Sequence, residues 1–173
     1  MSESSFIKVI IAGDGACGKT TLLYRYVQGN FLTNTKMTLG VDFMLKELTM
    51  GRYHITLQIW DFGGQAHFRH LLQQYSLGAQ GALLVFDLTR VNTLNNIEEW
   101  VSICRKYNKE LPILLLGAKL DLEDDIKVDD DYIEKIKDSY NLFHYLKVSS
   151  KSGINVSESF DILTEVILKK SEY

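Results

Sequence analysis

The sequence is poor in the features that mark secreted, membrane-spanning or nucleic-acid-binding proteins. Its 173 residues include only two cysteines and one proline. Two cysteines far apart in sequence favour neither a disulfide framework nor a zinc site, which fits a reducing compartment. No apolar run approaches the roughly 18–20 residues that a membrane span requires. The net charge of −3 provides no basic field, so nucleic acid is not expected as a partner.

Neither end of the sequence carries a recognisable targeting or lipidation signal. The first residues lack a signal-peptide pattern, and Ser2 stands where N-myristoylation needs a glycine. The sequence ends at Tyr173 without the cysteine that prenylation uses. We therefore expect a monomeric cytoplasmic protein that is at most peripheral to membranes. Membrane association would then need a partner, or a tail that this chain does not include.

What the sequence does contain is a glycine-rich loop between a strand pattern and a helix pattern. Gly13–Thr20 reads GDGACGKT, after an apolar run and before apolar residues at helical spacing. In that context the motif G-x-x-x-x-G-K-[ST] binds phosphate, because glycines turn backbone N–H groups onto one surface at a helix N-terminus. Lys19 can reach the outer phosphates and Thr20 can ligate Mg²⁺. A chance glycine-rich turn is the alternative. The residues expected to contact the nucleotide here are Gly13, Asp14, Gly15, Ala16, Cys17, Gly18, Lys19, Thr20 and Thr21.

Strand and helix patterns alternate along the rest of the chain. With the apolar run at residues 6–12, they predict strands over 6–12, 41–50, 53–60, 81–87, 113–118 and 143–148. They predict helices over 18–28, 68–77, 93–106 and 155–170, and another helix that ends at Tyr140. Thr93 is the predicted N-cap of the third helix. The alternation predicts one domain over residues 1–173, with a core of about 6–170. Its fold is predicted as three-layer α/β, a six-stranded and mostly parallel sheet with helices on both faces.

Polar residues follow four of these strands, at the sheet edge where such folds bind ligands. Asp61 suits a Mg²⁺-associated carboxylate, although an ordinary turn aspartate is the alternative. Gly64 lets a backbone N–H approach a terminal phosphate, since no side chain blocks it. Gln65 can orient a water for in-line attack, and a solvated loop glutamine is its alternative. The sequence therefore predicts one phosphate and metal site built from several loops.

In their order, these motifs resemble the Ras superfamily of small GTPases, and most closely Rab proteins, from about residue 7 to 168. The resemblance implies a P-loop NTPase G domain that binds GTP and GDP with Mg²⁺ and acts as a slowly hydrolysing switch. It implies Lys19 and Gln65 as catalytic residues. It also implies that Thr38, which resembles the threonine of switch I, lies beside Thr20 and Asp61 at the metal. It also implies an exchange factor, an activating protein and effectors as partners, in membrane trafficking or signalling.

The resemblance assigns further residues to the base and to effectors. It implies base contacts by Phe31, Lys119, Asp121, Ser149, Ser150 and Lys151, and an effector-reading triad of Phe43, Trp60 and Tyr75. Plain packing is the alternative for the triad. A carboxylate such as Asp121 can accept two hydrogen bonds from guanine, which adenine does not offer in that arrangement.

The sequence departs from the family pattern at several positions. Ala118 stands where the family has an asparagine that bonds the base and the phosphate loop, so we expect a loss of about 1–3 kcal/mol and faster exchange. The segment Trp60–Gln65 resembles switch II, but Phe62–Gly63 replaces the Thr-Ala that is usual there in Rab proteins. The run Gly63–Gln65 is closer to Arf-like proteins, and the extra glycine predicts a more flexible switch II. Cys17 either has a lowered pKa beside Lys19 or simply fills a tight turn. Arg69 is expected as a mobile surface residue that does not point at the phosphates.

Two other functions remain open from the sequence. A nucleotide-bound scaffold that hardly cycles would account for Ala118 and the altered switch II. A P-loop kinase or ATPase would need a lid or a second substrate pocket, for which so short a chain offers no segment.

Overall fold

The computed structural model describes residues 3–172, in which strands and helices alternate. Met1, Ser2 and Tyr173, on which the expectations about the chain ends rest, lie outside the described residues. The strands are β1 Glu3–Ala12, β2 Val41–Met50, β3 Tyr53–Phe62, β4 Gly81–Asp87, β5 Ile113–Ala118 and β6 His144–Lys147. The α-helices are α1 Lys19–Gln28, α2 Arg69–Leu72, α3 Ile97–Cys104, α4 Asp130–Ser139 and α5 Val156–Ser171. Short 3₁₀ turns occupy Ala66–Phe68, Gln73–Ser76, Val91–Leu94 and Glu123–Asp125.

The six strands form one sheet in the order β2-β3-β1-β4-β5-β6. Among residues 3–172 only the β2–β3 pair is antiparallel, and it is joined by a tight turn in which Gly51 has a φ of 58°. The other neighbouring pairs are parallel, so the predicted six-stranded, mostly parallel sheet is confirmed. Strands β4 and β5 are buried along their whole length, as expected for parallel strands that are covered on both faces.

Helices cover both faces of the sheet and bury a separate apolar cluster against each. Helices α2, α3 and α4 pack on one face, with Trp100 as the largest fully buried side chain. Helices α1 and α5 pack on the other face, where Phe160 stacks on Tyr26 at 3.7 Å between ring centroids. Neighbouring residues of β1 alternate between the clusters, because successive side chains of a strand point to opposite faces. The predicted three-layer α/β fold is confirmed.

Local details differ from the predicted boundaries where tertiary contacts intervene. Helix α3 begins at Ile97, and Thr93 does not cap it. Thr93 lies in the preceding 3₁₀ turn, where its hydroxyl accepts from the Asp87 N–H at 3.0 Å and donates to the Arg90 carbonyl at 2.7 Å. Strand β3 continues past its predicted end at residue 60 and includes Asp61. Within residues 3–172, none of the helices has the length and apolar character needed to cross a membrane.

Candidate functional site

The phosphate loop joins β1 to α1, and its geometry needs glycine at specific points. Gly13 has a φ of 140°, and a Cβ there would overlap the Val85 carbonyl of the neighbouring strand. Gly18 has a φ of 94° at the start of α1. Lys19 is 5% exposed, and its Nζ donates to the Asp14 carbonyl at 2.7 Å. Burial lowers the pKa of Lys19, so a neighbouring anion would stabilise its charged form.

A pocket of about 470 Å³ opens directly in front of this loop. Three segments line it: the phosphate loop with the start of α1, the connection before β2, and the end of β3. Its lining residues are Gly15, Ala16, Gly18, Lys19, Thr20, Thr21, Thr35, Lys36, Met37, Thr38, Gly64 and Gln65. Segments that are far apart in sequence thus meet around the phosphate loop. Those after β1 and β3 follow strand ends as predicted, whereas the connection before β2 does not.

Two hydroxyls and one carboxylate converge at one side of the pocket. Thr20 Oγ1 donates to Asp61 Oδ2 at 2.6 Å and lies 2.8 Å from Thr38 Oγ1. Asp61 is fully buried, and its Oδ1 has no hydrogen-bond partner among residues 3–172. Burial raises the pKa of Asp61, against the hydrogen bond from Thr20 and the charge of Lys19. A divalent cation at these oxygens would satisfy Oδ1 and favour the ionised carboxylate, so the residues fit Mg²⁺.

This donor set differs from a cage made of protein ligands alone. Across the described range 3–172, no group of three or more His, Cys, Asp and Glu side chains is arranged to hold a metal ion. Mg²⁺ characteristically uses one or two protein ligands together with phosphate oxygens and waters. The arrangement therefore suits a cation that binds together with a nucleotide.

Two glycines bring the end of β3 against its neighbours. A Cβ on Gly64 would overlap the backbone of Asp14 and Gly15, so only glycine allows this approach. A Cβ on Gly63 would lie 2.6 Å from the Thr38 carbonyl oxygen, and the Gly63 N–H donates to the Gly40 carbonyl at 2.7 Å. The expectation of added flexibility at Gly63 misses this role, which is close packing between the two switch segments.

The other predicted catalytic residue, Gln65, lies at the mouth of the pocket. Its Nε2 contacts the sulfur of Met37, in the connection before β2. Phe31, in the same connection, is 39% exposed.

The loops after β5 and β6 meet beside the phosphate loop. Ser149 Oγ donates to Asp121 Oδ1 at 2.8 Å, which holds the carboxylate predicted to read the base. Lys119 Nζ donates to the Ala16 carbonyl at 3.2 Å. Ser150 is half-buried and Lys151 is exposed, while the methyl group of Ala118 is buried. The predicted base-side residues other than Phe31 therefore lie on two adjacent loops.

The structure corrects the expectation for Arg69, which is 7% exposed and not a surface residue. Its Nη2 donates to Asp14 Oδ1 at 3.0 Å and to the Gly64 carbonyl at 3.1 Å, and its Nη1 donates to Glu99 at 2.8 Å. The guanidinium also lies 4.9 Å from the centroid of the Trp100 ring. Arg69 thus bridges switch II, the phosphate loop and α3.

Asp14 is the centre of this network through its side chain, which turns away from the pocket. In addition to Arg69, Trp100 Nε1 donates to its Oδ1 at 2.8 Å and Asn96 Nδ2 donates to its Oδ2 at 3.0 Å. Its backbone carbonyl is the group that faces Lys19. Sequence reasoning missed Asn96 and Trp100, and only their helical spacing of four residues could have suggested a shared partner.

Sequence reasoning also missed a second polar cluster, at the end of β4. Asp87 is fully buried, and its Oδ2 accepts from Arg90 Nε at 3.0 Å and from Lys119 Nζ at 2.7 Å. The sequence feature that could have indicated this cluster is Asp87 at the end of an apolar strand, three residues before Arg90.

The predicted aromatic triad is contiguous at the surface. The Phe43 and Trp60 rings form an edge-on pair at 5.0 Å, and the Trp60 and Tyr75 centroids are 6.1 Å apart. Phe43 is 43% exposed and Tyr75 38%, so this is not a buried core cluster.

Cys17 faces the core rather than the pocket and is fully buried. Burial raises the pKa of its thiol, and the nearby charge of Lys19 only partly opposes this effect. The expectation of a lowered pKa is wrong, and Cys17 fills a tight turn.

The parallel sheet and the glycine-rich loop at its edge define a P-loop protein of the α/β class. Comparison with known proteins agrees, since the model of the Ras family matches residues 8–169. The chain is 35% identical to Ras-related protein Rab-2B of Dictyostelium discoideum over 172 residues, which cover 99% of this chain and 85% of that protein. It is 34% identical to Rab-8B of Bos taurus over 164 residues, covering 94% and 79%, respectively. It is 36% identical to RABA6a of Arabidopsis thaliana over 157 residues, covering 90% and 67%. The chain belongs to the Ras family of small GTPases, and the predicted resemblance to Rab proteins is confirmed.

Proposed function

We propose that this protein is a Rab-like molecular switch that binds GTP and GDP with Mg²⁺ and hydrolyses GTP slowly. The observation that carries the proposal is the convergence of Thr20, Thr38 and Asp61 beside the phosphate loop, within 3.4 Å of one another. These residues come from α1, switch I and β3, so a ligand at this point would contact all three segments.

The phosphate loop and Lys19 bind the β- and γ-phosphates in this proposal. The loop amides and the buried ammonium are preorganised donors, which stabilise charge at the phosphates without further rearrangement. Thr20, Thr38 and Asp61 would hold Mg²⁺, which neutralises phosphate charge when it is bound. Gln65 then orients the attacking water from the mouth of the pocket.

Guanine is the proposed base because Asp121 is held by Ser149 at 2.8 Å. A fixed carboxylate that is left unpaired by the wrong base discriminates strongly against it. The side chain of Ala118 has no polar atom with which to add a bond to the base. We therefore expect A118N to slow the release of GDP, and an unchanged release rate would contradict this reasoning.

We expect slow hydrolysis because the two arginines that bond the phosphate loop, Arg69 and Arg90, are held in other interactions. The Arg69 guanidinium is bonded to Asp14, Glu99 and the Gly64 carbonyl, and Arg90 contacts the outer side of the phosphate loop. The expected intrinsic rate is roughly 10⁻⁴–10⁻³ s⁻¹, with an activating protein supplying an arginine in trans.

The output of the switch is conformational. Thr38 and Gly64 contact the nucleotide site from the two switches, so loss of the γ-phosphate releases both. An exchange factor would reload the protein, and effectors would read the state across Phe43, Trp60 and Tyr75. Because the relatives are Rab proteins, membrane trafficking is the proposed setting. In this setting the chain acts as a cytoplasmic single-domain monomer that reaches membranes through a partner or a tail.

Single-turnover hydrolysis of GTP tests this proposal against the nucleotide-bound scaffold. Wild-type protein should convert bound GTP to GDP at about the intrinsic rate given above, and Q65A should slow conversion by tenfold or more, on the order of a catalytic positioning effect. R52A, which changes an exposed arginine on the β2–β3 hairpin, is the matched control and should behave as wild type. No conversion in wild type, or equal rates in Q65A and wild type, would favour the scaffold.

A further inference from the structure

Two cationic side chains from different loops donate hydrogen bonds to backbone carbonyls of the phosphate loop. Arg90 Nη2 donates to the carbonyl of Gly15 at 3.3 Å and to that of Ala16 at 3.0 Å. Lys119 Nζ donates to the same Ala16 carbonyl at 3.2 Å. Arg90 follows β4 and Lys119 follows β5, so these bonds tie the phosphate loop to the base-side loop.

Both cations share one buried counter-ion, Asp87. Its Oδ2 accepts from Arg90 and Lys119, and its Oδ1 accepts from the Thr89 N–H at 2.8 Å and the Thr89 hydroxyl at 2.7 Å. Burial alone would raise the pKa of Asp87, but these hydrogen bonds outweigh it and lower the pKa overall. The carboxylate is therefore charged and fixed, and it holds both cations in place.

The orientation of the Gly15 and Ala16 carbonyls determines where the phosphate-binding N–H groups point. In a trans peptide the C=O and the following N–H lie in one plane and point in opposite directions. Holding the carbonyls of Gly15 and Ala16 outward therefore directs the N–H groups of Ala16 and Cys17 the other way. Ala16 has a φ of 60°, a conformation that a non-glycine residue keeps only when its surroundings impose it.

Little else ties these loops together on the base side. The last residue of β5 is Ala118, whose side chain offers no donor or acceptor. Asn96, which also follows β4, bonds the side chain of Asp14. Within residues 3–172, the side-chain hydrogen bonds from the loops after β4 and β5 to backbone carbonyls of the phosphate loop are those of Arg90 and Lys119. Of these two side chains, only Arg90 bonds the carbonyls of both Gly15 and Ala16, because its guanidinium presents several donors in a rigid fork.

We propose that Arg90 is a positioning residue for the nucleotide: anchored on Asp87, it holds the strained phosphate loop in its binding conformation and so slows nucleotide release. Arg90 need not contact the nucleotide to do this. The inference rests on the proposed function, since it assigns a residue that controls release from the same guanine-nucleotide site.

The test compares R90A and R90K with R105A as a matched control. Arg105 also donates to three backbone carbonyls, those of Leu111, Tyr140 and Asn141, but at the opposite edge of the sheet. Release of fluorescent GDP in Mg²⁺ should be about tenfold faster in R90A than in wild type, since charge-assisted hydrogen bonds are lost. R90K should give an intermediate rate, because a compact ammonium keeps the charge but lacks the planar fork with which the guanidinium reaches both carbonyls and Asp87. R105A should lower thermal stability and leave the release rate unchanged.

Amide hydrogen exchange of residues 13–18 provides a second readout that does not depend on guanine. Exchange there should be faster in R90A than in wild type, and unchanged in R105A. A wild-type GDP release rate in R90A, or equal acceleration in R105A, would overturn the proposal. If wild-type protein retains no guanine nucleotide, the proposed function fails, and the exchange measurement still decides whether Arg90 holds the loop.

Discussion

Replacing Arg69 with alanine should destabilise the protein strongly, although the residue lies in a switch segment. The side chains of Arg69 and Asp14 are only 8% and 16% exposed, so solvent screens their 3.0 Å ion pair weakly. Removing one partner of a buried pair leaves an uncompensated charge, here that of Asp14, and costs about 3–5 kcal/mol. The partner Glu99 is 49% exposed and adds little, so we expect a loss near the lower limit, about 3 kcal/mol.

Thermal unfolding of the GDP-loaded protein measures this loss. For a domain of this size each kcal/mol shifts Tm by about 2–4 °C, so R69A should unfold about 6–12 °C below wild type. R52A is the matched control, because Arg52 is an exposed arginine with ion-pair distances of 3.7 Å to Glu3 and Glu172. It should leave Tm nearly unchanged. If R69A and R52A have the same Tm, the buried bridge between switch II and the phosphate loop does not stabilise the protein.

Three further perturbations test separate parts of the site. G63A should speed release of a non-hydrolysable GTP analogue by about tenfold and leave GDP release nearly unchanged, because the added Cβ would displace Thr38; equal effects on both nucleotides would contradict this. Chelating Mg²⁺ should accelerate nucleotide release far less in D61N than in wild type, and an undiminished chelator effect would remove Asp61 from the metal site. Cys17 should resist a thiol reagent at pH 8 in the folded protein and react once unfolded, because it is buried and its pKa is raised; rapid native labelling would contradict its burial.

The fold was predictable because local patterns and tertiary contacts agree along most of the chain. Apolar runs such as residues 81–87 and 113–118 became buried parallel strands with the predicted bounds. Gly29 ends α1 in a left-handed conformation, with its N–H bonded to the Arg25 carbonyl at 3.0 Å, as its position after an apolar helical pattern suggested. Thr93 shows the limit of this reasoning. Its preference for capping a helix is overridden by its hydrogen bonds to Asp87, at the end of β4, and to Arg90, in the following turn.

The site was predictable where one short motif contains the chemistry, as at Gly13–Thr20. It was not predictable where a side chain depends on partners distant in sequence. Arg69 is held in a buried position by its bonds to Asp14, which lies 55 residues before it, and to Glu99, which lies 30 residues after it. No local pattern contains those partners, so an arginine in a polar loop was expected at the surface. Gly63 was expected only to add flexibility, because the sequence around it does not show the Thr38 carbonyl that packs against it.

The most direct test of the account is the nucleotide content of the purified protein and the Mg²⁺ dependence of its release. The protein is denatured, the released nucleotide is identified by chromatography, and off-rates of fluorescent GDP and GTP are timed with and without a chelator. We expect co-purified GDP or GTP that leaves faster when Mg²⁺ is removed. An empty site, bound adenine nucleotide, or release that ignores Mg²⁺ would contradict the assignment of Thr20, Thr38 and Asp61 to a guanine-nucleotide switch.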